Sequence, residues 1–150
     1  MKEPAFSRIY LYRRMVQAKL FIDAHYHEAI DLDSIADEAF FSKFHFIRLF
    51  KQIYTKTPHQ YLISVRVNRA AQLLRDGKAI PDTCYEVGFE SISSFTALFK
   101  KVYRITPAAY REQQLQLQAA IRERPLGFIP NCFAENSGWT ENSNFQEPGL

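Results

Sequence analysis

Two stretches of the sequence carry several basic side chains and no acidic one. One stretch runs from residue 42 to 56 and the other from residue 91 to 104. Their basic residues are Lys43, Arg48, Lys51, Lys56, Lys100, Lys101 and Arg104. Clusters of Lys and Arg without acids are typical of surfaces that neutralise phosphates. The chemistry that these residues predict is therefore the binding of a polyanion.

Other side-chain combinations give no sign of catalysis or of a cofactor. Cys84 and Cys132 do not form a Cys-x-x-Cys pair, and His25 and His27 are two residues apart, on different faces of a helix. The sequence offers no nucleophile–base pair, no phosphate-binding loop and no metal-ligand spacing. We therefore expect no enzyme activity, no catalytic residues, no metal and no cofactor.

The charge is unevenly distributed along the chain. The formal net charge is +3, but residues 1–112 carry 17 basic and 12 acidic side chains, whereas residues 113–150 carry 2 and 4. The positive field therefore belongs to the first three quarters of the sequence. No apolar run approaches the length of a membrane span, and the N-terminus lacks the apolar core of a signal peptide. We expect a soluble, cytoplasmic protein without a membrane partner.

Apolar residues recur every three or four positions, which is the period of a helix. Ile9, Tyr12, Val16, Leu20 and Ala24 form one such stripe and predict a helix from about 6 to 27. Further helices are predicted from a cap at 31 or 33 to about 39, from a cap at 42 to about 54, at about 57–76, 82–87 and 93–103, and from 106 to 117 or beyond. No window alternates with period two. The predicted fold class is all-α, with about seven helices.

An internal repeat is the strongest signal in the sequence. Eight residue types recur unchanged 49 positions later, beginning at Phe46, Leu49, Phe50, Lys51, Tyr54, Thr57, Pro58 and Tyr61. Upstream the offset is 48, so that Ala36 matches Cys84 and the second copy has one extra residue. Each copy is predicted to contain a short helix, a tight turn and a longer helix. This order is typical of a helix-turn-helix, whose second helix enters the major groove of DNA; two helical hairpins that merely pack together are the alternative.

Within these repeats the chain resembles the DNA-binding domain of the AraC/XylS-type transcription regulators. The resemblance covers about residues 15–112 and rests on the motifs Ile35-Ala-Asp-Glu-Ala-Phe-Phe-Ser42, Arg48-Leu-Phe-Lys51, Arg66-Val-Asn-Arg-Ala70, Leu73-Leu74, Tyr85-Glu-Val-Gly-Phe89, Phe95-Thr-Ala-Leu-Phe-Lys-Lys101, Thr106-Pro107 and Tyr110-Arg111. It implies two helix-turn-helix lobes, at about 6–57 and 79–112, joined by a long linker helix at about 58–76. It also implies that a single chain inserts two recognition helices into successive major grooves on one face of DNA.

Three positions depart from the family pattern, in which Gly is usual where Phe40, Thr55 and Arg104 stand. The first turn is therefore expected to differ or to be strained. Two reading positions that often carry polar side chains or Arg have Ile47 and Ala97 instead.

The candidate DNA-contacting residues fall into two groups. The candidates for base reading are Phe44, His45, Ile47, Arg48, Ser93, Thr96 and Ala97. The candidates for backbone contact are Ser42, Lys43, Lys51, Lys56, Ser91, Lys100, Lys101 and Arg104. Arg48 is expected to bind a guanine with two hydrogen bonds, which is the commonest specific contact. Phe44 could touch a thymine methyl or belong to the core.

We expect a sequence-specific transcription regulator whose partner is double-stranded DNA. The alternative is a helical protein-interaction module, for example one that binds RNA polymerase, with little specific DNA binding. The sequence gives no sign of a small-molecule effector. Residues 113–150 are expected to extend the last helix and then to form a polar tail with too little apolar surface to order by itself. Phe128, Phe133 and Trp139 are the exceptions in this tail and could dock on the body.

Overall fold

A computed structural model of the chain describes residues 5–39 and 42–129. Within these ranges the protein contains helices and no strand, so that the all-α prediction is confirmed. The helices are α1 (Ala5–His25), α2 (Leu32–Ala39), α3 (Lys43–Tyr54), α4 (Pro58–Arg75), α5 (Ile80–Glu86), α6 (Ile92–Tyr103) and α7 (Pro107–Glu123), followed by a 3₁₀ turn at Pro125–Phe128.

The starts of the helices follow from side chains that satisfy free backbone N–H groups. Asp31 accepts a hydrogen bond from the Ser34 N–H at 2.8 Å, so it is Asp31, not Asp33, that caps α2. Thr57 accepts one from the Gln60 N–H at 3.2 Å, and the Gln60 side chain returns one to the Thr57 N–H at 3.0 Å. This reciprocal capping box fixes the first turn of α4.

The internal repeat is visible in the helix boundaries. The short helices α2 and α5 start at Leu32 and Ile80, an offset of 48, whereas the longer helices α3 and α6 start at Lys43 and Ile92, an offset of 49. The extra residue of the second copy therefore lies between its short and its long helix, as the sequence predicts. Gly88 occupies this turn with a φ of 93°, in the left-handed region that favours glycine.

Two hydrophobic cores are joined by the linker helix α4. The first is built from α1 to α4 and contains Met15, Ala18, Ile22, Ile35, Ala36, Phe46, Phe50 and Leu62. The second is built from α4 to α7 and contains Val67, Ala70, Ala71, Leu74, Cys84, Val87, Phe89, Phe95, Phe99 and Tyr110. Tyr26 packs against both cores, and α4 contributes buried side chains to each.

Arg66 ties the segment after α1 to the linker helix. Its Nε donates to the Tyr26 carbonyl at 2.6 Å, and its terminal nitrogen donates to the Glu28 carbonyl at 2.8 Å. Burial lowers the pKa of this guanidinium. The Arg66 side chain also lies 5.8 Å from the centre of the Phe89 ring, so it contacts residues of both halves of the molecule.

The apolar stripe that predicts α1 is not the face that packs. Ile9, Tyr12, Val16, Leu20 and Ala24 are all exposed. The core instead receives Met15, Ala18 and Ile22, a second set at spacings of three and four on the opposite side of the helix. Because α1 carries apolar residues all round, periodicity predicted the helix correctly but could not choose its buried face.

Other differences from prediction concern helix ends. α1 stops at His25, two residues early, and α5 starts at Ile80 rather than at residue 82, because Pro81 is compatible with a first helical turn. α7 continues to Glu123, and its Gln118 side chain donates to the Arg75 carbonyl at 2.7 Å. The predicted polar tail begins at Pro125. Its first residues form the 3₁₀ turn Pro125–Phe128, and residues 130–150 lie outside the described residues.

Candidate nucleic-acid interface

The two longer helices of the repeat, α3 and α6, present equivalent outward faces; we call them the reading helices. Phe46 and Phe50 anchor α3 in the first core, and Phe95 and Phe99 anchor α6 in the second. From end to end the two helices share the same order of buried, half-buried and exposed positions. The one difference is at the eleventh position, where Ile53 is half-buried and Val102 is exposed.

The predicted base-reading residues lie on these outward faces or at their edges. His45, Arg48, Ser93 and Ala97 are exposed, and so is Phe44, whose 77% exposure excludes it from the core. The remaining two, Ile47 and Thr96, are half-buried at equivalent positions. The structure thus brings the seven residues to two matching surfaces.

The cations predicted to contact the DNA backbone are all exposed. Lys43 is in addition paired with an acidic side chain. Lys51 and Lys100 occupy equivalent positions one turn after the reading positions 48 and 97. Lys101 follows on α6, and Arg104 comes directly after the end of that helix. The Lys43 ammonium lies 3.1 Å from the Asp33 carboxylate of α2. Asp33 therefore competes with any phosphate for the Lys43 ammonium, and the sequence did not indicate this.

The two serines that precede the reading helices behave differently. Ser91 accepts a hydrogen bond from the Ser94 N–H at 3.2 Å and so caps α6, which leaves its hydroxyl proton able to donate. Ser42 stands at the same place before α3 with an extended backbone, but its side chain makes no capping hydrogen bond.

Each reading helix is followed by one residue with a left-handed backbone conformation. Thr55 has a φ of 62° and Arg104 a φ of 67°, and their N–H groups donate to the carbonyls of Lys51 and Lys100 at 2.9 Å. Both positions are therefore ones where Gly is the favoured residue, and strain at a β-branched Thr is the larger of the two. The third departure, Phe40, lies outside the described residues.

A groove of about 410 Å³ joins α4 to α6 and was not predicted. Its basic and polar lining includes Lys56, His59, Gln60 and Lys101, over an apolar floor that includes Ile63. Lys56 belongs to the first repeat and Lys101 to the second, so the groove connects the cations of the two halves. The sequence hint was the position of His59 and Gln60 in the first turn of α4, directly after Lys56.

The described part of the chain holds no cluster of His, Cys, Asp or Glu suited to a metal ion. Within the same residues, no helix is long and apolar enough to cross a membrane. Cys84 is buried, and burial raises the pKa of its thiol. A raised pKa disfavours the reactive thiolate.

Comparison with known proteins agrees with the paired geometry. Residues 35–113, more than half of the chain, match the model of a helix-turn-helix domain family. The Tn10 transposon TetD protein of Escherichia coli is 34% identical over 97 residues, covering 64% of this chain and 70% of TetD. The chain belongs to the AraC-type helix-turn-helix family of transcription regulators. It spans only about a third of some family members: the Bacillus subtilis helix-turn-helix-type regulator YbfP is 38% identical over 102 residues, which are 67% of this chain but 35% of YbfP.

Solved structures of AraC-type domains have the same fold. A regulator with an AraC-type DNA-binding domain from Chromobacterium violaceum superposes with a TM-score of 0.64 at 31% identity, covering 70% of this chain and 95% of that one. The DNA-binding domain of AdpA, a global transcriptional factor solved in complex with a target DNA, gives a TM-score of 0.64 at 28% identity, over 74% of this chain and 96% of that domain.

Proposed function

We propose that this chain is a sequence-specific transcription regulator that inserts α3 and α6 into successive major grooves of double-stranded DNA. The observation that carries the proposal is the pair of matching reading helices, whose own residues include exposed cations and no acid and whose outward faces lie opposite buried Phe pairs. An acid-free face on each of two equivalent helices suits two phosphate-lined grooves. The AdpA domain, which has a similar fold, was solved in complex with a target DNA, and this supports DNA binding by the present chain.

The two reading helices are proposed to read DNA unequally. Arg48 is exposed in the middle of α3, whereas the equivalent position of α6 is Ala97. A bidentate Arg–guanine contact discriminates between bases by about 1–3 kcal/mol, while Ala offers only a methyl contact to thymine. Sequence specificity should therefore concentrate in the half-site under residues 42–54, and α6 should contribute mainly backbone contacts.

The test is binding selection from a randomised duplex pool with the wild type, Arg48→Ala and Lys100→Ala. Arg48→Ala should relax the preference at one or two base pairs of one half-site. Lys100→Ala should weaken all sequences about equally, because a phosphate contact carries no base information. Equal information content in the two half-sites, or a wild-type profile from Arg48→Ala, would refute the asymmetry.

A second candidate function is a protein-interaction module, such as one that binds RNA polymerase. It is favoured by Ala97 and by the half-buried Ile47, which leave few base-reading groups on the two helices. A gel shift against genomic fragments with competitor DNA separates the two functions. Binding to particular fragments that survives competitor supports the regulator, and binding that competitor DNA removes from every fragment alike supports the module.

A further inference from the structure

The outward face of α1 is apolar without being covered by the described residues. Ile9 is 64% exposed, Val16 47% and Leu20 57%, and Tyr12 lies beside them. These residues recur at spacings of three and four and therefore share one side of the helix, opposite the face that packs in the core. Contiguous exposed apolar side chains of this kind mark an interaction surface.

The same face is basic. Arg8 and Arg13 are exposed on it or at its edge. Asp23, which is the acidic residue of α1, is already bound to the Lys19 ammonium at 2.7 Å and to the Tyr61 hydroxyl at 2.8 Å. Arg13 and Leu20 also line a groove of about 630 Å³ along the helix. The surface therefore suits an occupant that carries both apolar and acidic groups.

The last part of the chain has this composition in a regular pattern. Between residues 133 and 150 an aromatic residue is followed two positions later by Glu three times, with a period of six: Phe133 and Glu135, Trp139 and Glu141, Phe145 and Glu147. Residues 130–150 contain no Lys, Arg or Asp. Each unit of the pattern thus offers one large apolar ring and one negative charge.

The dimensions of the two partners agree. Six residues of extended chain span roughly 20 Å, at about 3.3 Å per residue. The eleven steps from Ile9 to Leu20 on α1 span roughly 16 Å, at 1.5 Å per residue. Two successive aromatic residues of the pattern therefore fit the length of the apolar stripe.

We propose that residues 130–150 dock on the outward face of α1 of the same chain. The rings of Trp139 and Phe145 cover the apolar stripe, and glutamates of the pattern pair with Arg8 and Arg13. The connection is long enough, because the ten residues from Ile129 to Trp139 reach roughly 33 Å, about the diameter of a domain of this size. A second copy of α1 is a poorer occupant, since it would place the same arginines opposite each other.

The sole Trp of the sequence, Trp139, makes the proposal directly measurable by fluorescence of the full-length protein. Its emission should lie to the blue of that of a synthetic peptide of residues 130–150, and acrylamide should quench it less. Val16→Asp should lower the ratio of docked to free tail at least tenfold, which corresponds to about 1.4 kcal/mol. The emission should then approach that of the peptide, while circular dichroism remains that of the wild type.

Val102→Asp is the matched control, because Val102 is also 47% exposed but lies on α6, in the groove beside α4. This control should leave the Trp139 emission unchanged. Arg13→Glu should partly release the tail, and Glu141→Arg in the same chain should restore docking. A peptide-like emission in the wild type would overturn the proposal. So would release by Val102→Asp alone, which would place the tail in the other groove, or docking that depends on protein concentration, which would assign it to a second copy.

Discussion

Thr83 places a buried polar side chain where the first repeat has a buried apolar one. Its side chain is fully buried in α5, and its hydroxyl has no hydrogen-bond partner among the described residues. The equivalent residue of the first copy, 48 positions earlier, is Ile35, which is also buried. A buried hydroxyl without a partner costs about 1–3 kcal/mol.

Thr83→Val should therefore raise the free energy of unfolding by about 1 kcal/mol, because it replaces the unpartnered hydroxyl with a methyl of similar size. Urea denaturation followed by circular dichroism measures the change. Thr83→Ala is the control: it removes the hydroxyl but also leaves a cavity, so it should not stabilise. A loss of stability in the Val variant would show that the hydroxyl has a partner.

Gly88 is constrained by both conformation and space. Its φ is 93°, and a Cβ at this position would lie 2.9 Å from the Tyr26 carbonyl oxygen and 3.0 Å from His27 backbone atoms. Gly77 has a similar φ of 90°, but a Cβ there would meet only the Leu115 side chain at 3.7 Å. The two glycines thus share the conformational requirement and differ in the steric one.

Gly77→Ala should lower the free energy of unfolding by about 1–2 kcal/mol, the cost of left-handed backbone for a residue with a Cβ. Gly88→Ala should lower it by at least about 1 kcal/mol more, because backbone atoms must also move. Parallel urea titrations compare the two variants. Equal losses would mean that the turn after α5 relaxes away from Tyr26 without cost.

At the scale of single residues, the sequence predicted which side chains point outward. It did not predict which groups those side chains contact. The anchors Phe46 and Phe50 set the helical phase of α3, and Arg48 between them had to point outward. The pairing of Lys43 with Asp33 was not predictable, because it depends on how α2 packs beside α3. The spacing of apolar residues along the sequence does not predict surface ion pairs of this kind.

At the scale of helices, boundaries were predictable where a cap marks them. Thr57 and Pro58 mark the start of α4, and Thr106 and Pro107 mark that of α7, so that both starts agree with the sequence prediction. The buried face of α1 was not predictable, because Val16 and Met15 belong to two apolar stripes of equal spacing. Packing against α2 and α4 decides between the stripes, and that choice is made by tertiary structure.

The contact between the segment after α1 and helix α4 depends on Arg66. Arg66→Met keeps much of the apolar stem but removes the donors to the Tyr26 and Glu28 carbonyls. Hydrogen bonds from charged groups contribute about 1.5–3 kcal/mol. We expect the free energy of unfolding to fall by an amount in that range, as measured by urea denaturation.

Arg69→Met is the matched control on the same helix. Arg69 is exposed, and its guanidinium donates to the Gln72 side chain at 2.8 Å, one turn along the helix. Exposed contacts of this kind change stability by no more than about 0.5 kcal/mol. If both variants lose the same stability, the two carbonyl contacts of Arg66 do not hold the halves together.

At the scale of the whole molecule, the sequence predicted two equivalent units but not the surface between them. The repeat offsets, 48 for the short helices and 49 for the longer ones, relate α2 to α5 and α3 to α6 and predict the internal structure of each unit. These offsets contain no information on how α4 orients the two units relative to each other. The groove that brings Lys56 and Lys101 together is therefore a result of the arrangement, visible only in three dimensions.

This arrangement makes a quantitative prediction about salt. If the exposed cations of both repeats and of the groove contact phosphates, each contact releases counterions on binding DNA. The logarithm of the association constant should then fall with the logarithm of salt concentration by about 0.9 per contact. Lys101→Ala removes one such cation from α6 and should reduce the magnitude of the slope by about 0.9, with a weaker affinity at low salt.

Arg122→Ala is the matched control, since Arg122 is an exposed cation near the end of α7, outside the reading helices and the groove. It should leave the slope unchanged. Fluorescence anisotropy with a labelled duplex, titrated between about 50 and 200 mM salt, measures all three proteins. The prediction fails if Arg122→Ala flattens the slope as much as Lys101→Ala, because the response would then report net charge rather than a contact surface. A DNA affinity that does not change with salt would contradict the proposed phosphate contacts. It would favour a protein as the partner of the two reading helices.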